Sequence, residues 1–363
     1  MACTAGFYVS AQNGSSASEK SNAETKAPFN KCWEYSFENT VRRSIASTNG
    51  TVYLSEGGGK VRAISAKSGQ VLWVTELGGE ISASLAIPRV GLAVVTTRAE
   101  TLTDQPPNST LRLLNFDTGL VRFTVPVKTS GETHLGISGS RLIIIDSVGS
   151  ISAFDIENGN AAWKANLGGR VTAAPAYTAL SVAVATEKKI DIVSVANGTL
   201  TATIKTEQPV TSLEIRENEM IVAGDDRGHV TNFRDLSGAI WWRFKSGARI
   251  GTITETKEGM LVGSFDNFLY MISKYSGDVK WKRRMEGRLV NKPFVSGDLA
   301  FTSVSVEDTA ALIDLDNGKV IEQISLGENR YAITSPVLTD GSVLVFSVPE
   351  AIVAYSNSGC TSK

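Results

Sequence analysis

VRAISAKSGQVLW (61–73), ISAFDIENGNAAW (151–163) and LYMISKYSGDVKW (269–281) are three copies of one pattern. Each runs as an alternating strand, a tight polar turn that ends in Gly, and a second short strand that closes on Trp. Working outward, the pattern recurs as LRLLNFDTGLVRF (111–123), IDIVSVANGTLTA (190–202), VTNFRDLSGAIWW (230–242) and AALIDLDNGKVIE (310–322). An eighth copy, AIVAYSNSGC (351–360), stops just after its glycine. The turn glycines are Gly69, Gly119, Gly159, Gly198, Gly238, Gly277, Gly318 and Gly359, separated by 50, 40, 39, 40, 39, 41 and 41 residues. Each follows Ser, Thr or Asn, a pair that suits a hairpin turn in which one residue takes φ > 0 without steric cost. Two further strand candidates precede each hairpin, such as VTAAPAYTA (171–179) and LSVAVAT (180–186). Four strands repeated about every 40 residues make a propeller blade.

The expected fold is therefore all-β: an eight-bladed β-propeller of four-stranded antiparallel blades. The eighth motif lacks its closing strand, and KCWEYSF (31–37) at the other end of the chain supplies one. If Trp33 stands where a closing Trp would follow Gly359, the N-terminal strand joins the last blade and removes the free edges of an open array. That register puts Cys32 and Cys360 on the same hairpin as a candidate disulfide, the alternative being two separate thiols. Closing so long a loop contributes on the order of 4–5 kcal/mol in the chain-entropy model. Five of the six tryptophans, Trp33, Trp73, Trp163, Trp242 and Trp281, occupy the closing position. Recurrence in blade after blade assigns them to packing rather than to ligand stacking. Phe123 takes the place in the second blade, while Ala202 and Glu322 leave the fourth and seventh expected to be weaker.

Composition removes several function classes. Across 363 residues, 36 Lys+Arg against 37 Asp+Glu give no net field that would recruit nucleic acid. No apolar run reaches the 18 residues of a spanning helix. Two His and three Cys are too few for an ordinary zinc site, though a carboxylate-only metal site survives that count. Residues 1–30 read as a disordered tail or tether, with residues 31–363 forming one propeller. Within the tail, Ala2-Cys3 is similar to the end of a lipobox and Val9-Ser10-Ala11 to a signal-peptidase site; either places the protein outside the cytoplasm, and ordinary disordered sequence is the alternative.

The motif resembles the signature of the PQQ-like-repeat propellers, approximately G-x-[LV]-x-A-[LI]-[DN]-x-x-[TS]-G-x-x-x-W, most closely at residues 60–73 and 149–163. The resemblance covers about 330 residues and specifies fold rather than activity. Two branches follow from it. Quinoprotein dehydrogenases use a vicinal Cys-Cys pair, calcium-binding carboxylates and a catalytic Asp; this chain has no adjacent cysteines. The BamB-like branch comprises non-catalytic envelope lipoproteins that help to assemble outer-membrane β-barrels. It implies a lipidated Cys3, a tether over residues 4–30, closure through Trp33, a seventh motif without Trp at Glu322, and an Arg five residues ahead of Ala-Pro that contacts the barrel-assembly protein. Arg170 in RVTAAP (170–175) stands in that register, although NLGG (166–169) replaces the expected leucine/serine stretch.

Independently of the family, the residue expected to open the innermost strand is Glu80, Glu132, Arg170, Arg249, Arg288 or Arg330 in six repeats, with Thr40 and Val210 in the others. These positions are expected to converge on the channel mouth as four arginines facing two glutamates. Guanidinium groups there suit bidentate capture of partner carboxylates; a mutually neutralised, solvated ring is the bland alternative. Other constellations are weaker. Asp225-Asp226 lies where a turn occurs and lacks calcium-loop spacing, His134 and His229 fit no triad, and the N-x-[ST] patterns at Asn13, Asn49, Asn108 and Asn197 reflect turn chemistry. The 98–110 stretch, with its Pro-Pro, reads as a protruding loop and a second contact.

These readings converge on a cofactor-free, monomeric, non-enzymatic scaffold. It is expected on the periplasmic side of the outer membrane, or otherwise secreted or in the envelope, with an N-terminal lipid or a removed signal peptide as alternatives for its start, and bound to a barrel-assembly protein. A quinoprotein-type enzyme or small-ligand sensor is the alternative, and an interaction propeller with an unrelated partner is a third.

Overall fold

The computed structural model describes residues 28–37, 44–98, 108–216, 220–304 and 307–360. Cys3 and the rest of the tail to residue 27, Thr40, and residues 99–107 of the insertion lie outside the described residues. The described chain forms eight four-stranded antiparallel sheets arranged as the blades of a propeller. In the first seven blades the strands follow chain order, and first strands of neighbouring blades meet near the axis, as Val210–Ile215 does with Ile250–Glu255 and Ile45–Thr48 with Val337–Thr339. Beyond a single 3-10 turn at Gly57–Gly59, no helix interrupts this plan among the described residues, and no helix there is long and apolar enough to cross a membrane.

Burial follows from each strand's radial position. The two middle strands of a blade are covered on both faces by neighbouring blades, so they need apolar side chains in succession rather than in alternation. Leu142, Ile143, Ile144 and Ile145 in the third blade are all buried. Outermost strands are covered on one face only, and Ala161–Asn166 accordingly alternates between exposed and half-buried. The core is split into eight wedge-shaped clusters, each drawn from two adjacent blades.

Indoles set the spacing of these wedges. In the five motifs that close on Trp, the side chain reaches the turn of the next blade, and its indole N–H donates to a carbonyl there. Trp33 bonds Ala66 at 2.7 Å, Trp73 bonds Phe116 at 2.8 Å, Trp163 bonds Val195 at 2.8 Å, Trp242 bonds Lys274 at 3.1 Å and Trp281 bonds Leu315 at 2.8 Å. The same rings lie flat against the turn glycines. A Cβ added to Gly198 would sit 2.4 Å from Trp163, and Gly198 also has φ +75°. The glycine is thus required twice, once for its backbone and once for the neighbouring ring.

Closure occurs in the eighth blade. Its strands Val337–Thr339, Val343–Val348 and Ala351–Ser356 are completed by Asn30–Ser36 on the outer edge. Trp33 pairs with Ala354, the register in which Trp73 pairs with Ala63 and Trp163 with Ala153. A bulge beside Trp33 leaves Cys32 out of the ladder, where it forms a disulfide with Cys360, Cα–Cα 5.1 Å, across 328 residues of sequence.

Three details depart from the sequence reading. The propeller begins before residue 31: Phe29 is buried in the junction between the seventh and eighth blades, and its N–H donates to both carboxylate oxygens of Glu322 at 2.9 and 3.1 Å. Glu322 is therefore an alternative clamp rather than a weak point. The innermost strands of the fourth, seventh and eighth blades begin at Ala176, Phe294 and Val337, not at Arg170, Arg288 and Arg330. Each start directly follows a proline, Pro175, Pro293 or Pro336, which has no N–H to give the ladder. Lastly, the strand Ser109–Leu114 takes the end of the 98–110 stretch, and the Arg98 N–H bonds the Asn108 carbonyl at 2.9 Å to close the loop's neck.

Two stability measurements test this arrangement. Replacing Cys32 and Cys360 by Ser should lower the urea midpoint by the equivalent of about 2–5 kcal/mol, with reduced wild type unfolding alike; an unchanged midpoint would show that closure does not depend on the crosslink. Gly198→Ala should cost about 2–4 kcal/mol through φ strain and overpacking on Trp163, whereas the same change at Gly58, which meets nothing within 4 Å, should cost only the backbone part.

Candidate functional site

In a four-stranded meander, the loop leading into the innermost strand and the turn between the two middle strands lie at the same end of the blade. Glu80, Glu132, Arg170, Arg249, Arg288 and Arg330 all belong to such loops or to the first residues that follow them, and so share one face. Backbone bonds stitch each loop to its turn: Leu77 N–H to Gly59 O at 2.9 Å, Glu187 N–H to Arg170 O at 3.1 Å, and Phe265 N–H to Arg249 O at 2.9 Å.

The face does not treat its charged residues alike. Arg249 and Arg288, from the loops entering the sixth and seventh blades, converge on one ring: their guanidinium carbons lie 5.5 and 5.6 Å from the centroid of Phe265. Phe265 comes from the turn Phe265-Asp266-Asn267 between the two middle strands of the sixth blade, Met260–Ser264 and Phe268–Ile272. Its approach to the innermost strand depends on Gly251, where a Cβ would stand 2.9 Å from the ring and 2.2 Å from the Leu289 carbonyl. Both arginines are exposed, and among the described residues neither has a carboxylate within ion-pair distance. Arg170 is exposed and likewise without an ion pair there.

Arg330 has a different assignment. Its guanidinium pairs with Glu34 at 2.8 Å, a residue of the closing strand on the outer edge of the eighth blade. The expectation of four equivalent rim arginines is corrected to that extent, because closure brings Glu34 within reach of only one of them. Arg330 and Lys31 hold the Glu34 carboxyl at about 2, well below its ordinary 4.5. On the opposite sign, Glu80 is exposed and accepts the Gly58 N–H at 3.3 Å, and Glu132 is exposed immediately ahead of the strand Thr133–Ser138.

Ion pairs that sequence reading missed cross between innermost strands. Lys292, ahead of the seventh blade, pairs with Glu214 of the fifth, so the contact spans the sixth blade between them. Arg216 reaches Glu255 at 2.8 Å, joining the ends of the fifth and sixth innermost strands. The available signal was a charge alternating with apolar residues in VTSLEIR (210–216). Asp225 serves its turn: one oxygen accepts the N–H groups of Arg227 and His229 at 2.9 and 2.8 Å, and the other meets His229 Nδ1 at 2.9 Å. Among the described residues no three His, Cys, Asp or Glu side chains gather as a metal site.

Three overlapping stretches, residues 30–144, 91–226 and 226–321, match the family described as outer membrane protein assembly factor BamB. The chain belongs to this family of PQQ-repeat propellers. No curated protein matches it. Among solved structures, BamB from Moraxella catarrhalis is 14% identical over 91% of this chain and 100% of that one, with a TM-score of 0.67. The computationally designed Ika8 protein is 14% identical over 88% and 97%, TM-score 0.74. A quinohemoprotein alcohol dehydrogenase from Comamonas testosteroni is 10% identical over 92% of this chain and 77% of that one, TM-score 0.69. At such identities these three structures establish the fold alone, and the fold serves proteins of different activity.

The Glu34–Arg330 pair carries a pH signature. Because the folded-state pKa of Glu34 is depressed, its contribution to stability is fully present above about pH 4.5 and is lost as pH falls towards 2. Glu34→Gln should therefore flatten the acid limb of the stability profile in that window and leave its slope above pH 6 unchanged, as followed by urea unfolding at stepped pH. An acid limb identical to wild type would remove the pair from the closure account.

Proposed function

We propose that this protein is a non-catalytic scaffold of the bacterial cell envelope, an accessory to the assembly of outer-membrane β-barrel proteins, which binds a protein of that machinery through the loop face described above. Membership of the BamB family supports the setting. The observation that carries the docking surface is the pair of exposed arginines held against Phe265 with, among the described residues, no carboxylate within ion-pair distance. Arginine and aromatic side chains dominate the energetics of protein interfaces, and a guanidinium already stacked on a ring loses less freedom when it captures a carboxylate. Exposed Val290 and Tyr331, in the loops entering the seventh and eighth blades, add apolar contact area on the same face. Arg170 is a second anchor in this reading, and the loop spanning 98–110 is a second contact. Attachment to the membrane is assigned to lipid on Cys3.

The partner in this reading presents acidic side chains. Reversing Arg249 and Arg288 to Glu should reduce recovery of the periplasmic part of the barrel-assembly protein by about tenfold or more, since removing one partner of a buried charge pair costs roughly 2–5 kcal/mol. Circular dichroism confirms that the variant remains folded, and Arg330→Gln, which alters the closing strand instead, serves as control. Undiminished recovery by the Arg249/Arg288 variant would overturn the docking surface. A saturable rise in Tm on adding pyrroloquinoline quinone with calcium would instead favour a quinone-binding protein.

A further inference from the structure

Because the blades repeat one motif, the first and second can be compared register by register. Seven residues ahead of its turn glycine, the first blade has Arg62, opposite Leu54, and the second has Arg112, opposite Val94. Both side chains face the preceding blade: Arg62 lies over Tyr35 of the eighth, and Val94 beside Arg112 packs with Trp73 of the first. Two residues beyond Leu54 stands Glu56, and two beyond Val94 stands Thr96. Arg62 is fully partnered. Glu56 accepts from its Nε at 2.5 Å and its Nη2 at 3.3 Å, and its guanidinium carbon is 5.2 Å from the Tyr35 ring centroid. At Arg112 both partners are shortened: Thr96 accepts from Nη1 at 2.6 Å, and Thr75, two residues past Trp73 as Tyr35 is past Trp33, replaces the ring.

The exchange leaves a half-buried cation without an anion. Among the described residues neither Arg112 nor Arg98 has a carboxylate within ion-pair distance. Asp191, the charged residue at the same register in the fourth blade, has its counter-ion in Lys189 at 2.7 Å. The two arginines respond oppositely: the hydrogen bond to Glu56 pushes the pKa of Arg62 up, whereas burial first and Arg98 second pull that of Arg112 down. Arg98 extends the strand of Thr96 by two residues, its N–H bonding the Asn108 carbonyl at 2.9 Å, so it lies on the face of Thr96 and Arg112. It is exposed. On the outermost strand Val121–Val127, the residues of this face, Arg122, Thr124 and Pro126, are exposed as well, so the face is reached along the outer groove between the two blades.

We propose that Arg112, Arg98 and the Thr96 hydroxyl form a carboxylate-binding site in the groove between the first and second blades, and that its occupant is a glutamate side chain of a partner polypeptide. The first blade shows the chemistry, because the same register filled from within the chain holds a glutamate on two guanidinium nitrogens. A planar guanidinium takes both oxygens of a carboxylate, and a buried cation left without one is costly. A single partly solvated ion pair gains little by itself, which favours a carboxylate carried on a chain that makes further contacts over a free small acid. Arg98 belongs to the 98–110 stretch, so the site gives a chemistry to the second contact proposed above and rests on that reading for the source of its ligand.

The probe is the pentapeptide Thr-Val-Glu-Val-Thr, trifluoroacetyl-capped and amidated, titrated with the full chain and followed by fluorine NMR. Saturable binding is expected, with a shift of the Arg112 Nε–H signal, identified by its loss in Arg112→Lys. Affinity should fall about tenfold or more for the peptide carrying Gln in place of Glu and for Arg112→Gln, and several-fold for Arg98→Gln. Thr96→Glu, which restores the pair of the first blade, should weaken peptide binding to the same extent and raise the urea midpoint. If Thr96→Glu does not fold, Arg112→Gln and the glutamine peptide decide. No saturable response, equal affinity for the two peptides, or affinity unchanged by Arg112→Gln would overturn the site. Propionate binding as tightly as the peptide would overturn the polypeptide occupant. Binding seen only after Glu100→Gln with Asp104→Asn would give the site to the chain's own carboxylates and overturn the proposal. The titration contains no barrel-assembly protein and leaves Arg249 and Arg288 intact, so its failure is distinguishable from failure of the docking surface.

Discussion

The contact between an indole and a turn glycine is the constraint on which the rest of the molecule depends. A hairpin that needs φ > 0 selects glycine for backbone reasons alone. The missing side chain then leaves a flat spot on the neighbouring blade, and a ring of roughly 150–250 Å² covers it. At about 25 cal/mol/Å² each such ring stabilises its junction by roughly 4–6 kcal/mol before ordering costs. The N–H of the indole also occupies a turn carbonyl, so the contact fixes orientation as well as distance. Repeating one contact around the axis sets the angular step between blades and allows the eighth to meet the first.

The ring is not uniform, and its irregularities divide the labour. Where Glu322 stands in place of Trp, the junction binds the chain's own N-terminal segment and so serves closure. Where Ala202 stands, no ring is supplied, and Gly238 is met instead by Ile204. Where the indoles are intact, as on both sides of the sixth blade at Trp242 and Trp281, the loops above are held firmly enough to place Arg249 and Arg288 over a single phenyl ring.

Much of this was legible in the sequence because it is local. The period, the number of blades, and the need for φ > 0 at Gly69 or Gly318 follow from turn chemistry within a dozen residues, and the register of Trp33 follows from aligning one motif with another. The candidate face was only partly legible. Strand alternation places the rim residues at one end of each blade, but the choice of Phe265 as a shared platform depends on Gly251 in a different strand. Arg330 looked equivalent to its neighbours until closure delivered Glu34. The Lys292–Glu214 pair spans 78 residues and a whole intervening blade, a distance over which spacing carries no information. The proline-delayed strand starts at Ala176, Phe294 and Val337 were readable from the missing N–H, since each proline is plain in the chain.

The position of Cys32 has a mechanical consequence. The closing strand lies on the outer edge of its blade, and only Asn30 and Lys31 of that strand precede the crosslinked residue. A pull applied ahead of Phe29 can break its N–H bonds to Glu322, draw its ring out of the core and peel two residues, and the load then passes through a covalent bond to Cys360. Unzipping stops there, so tension on the N-terminal side is carried by the whole wheel rather than by the hydrogen bonds of a single edge.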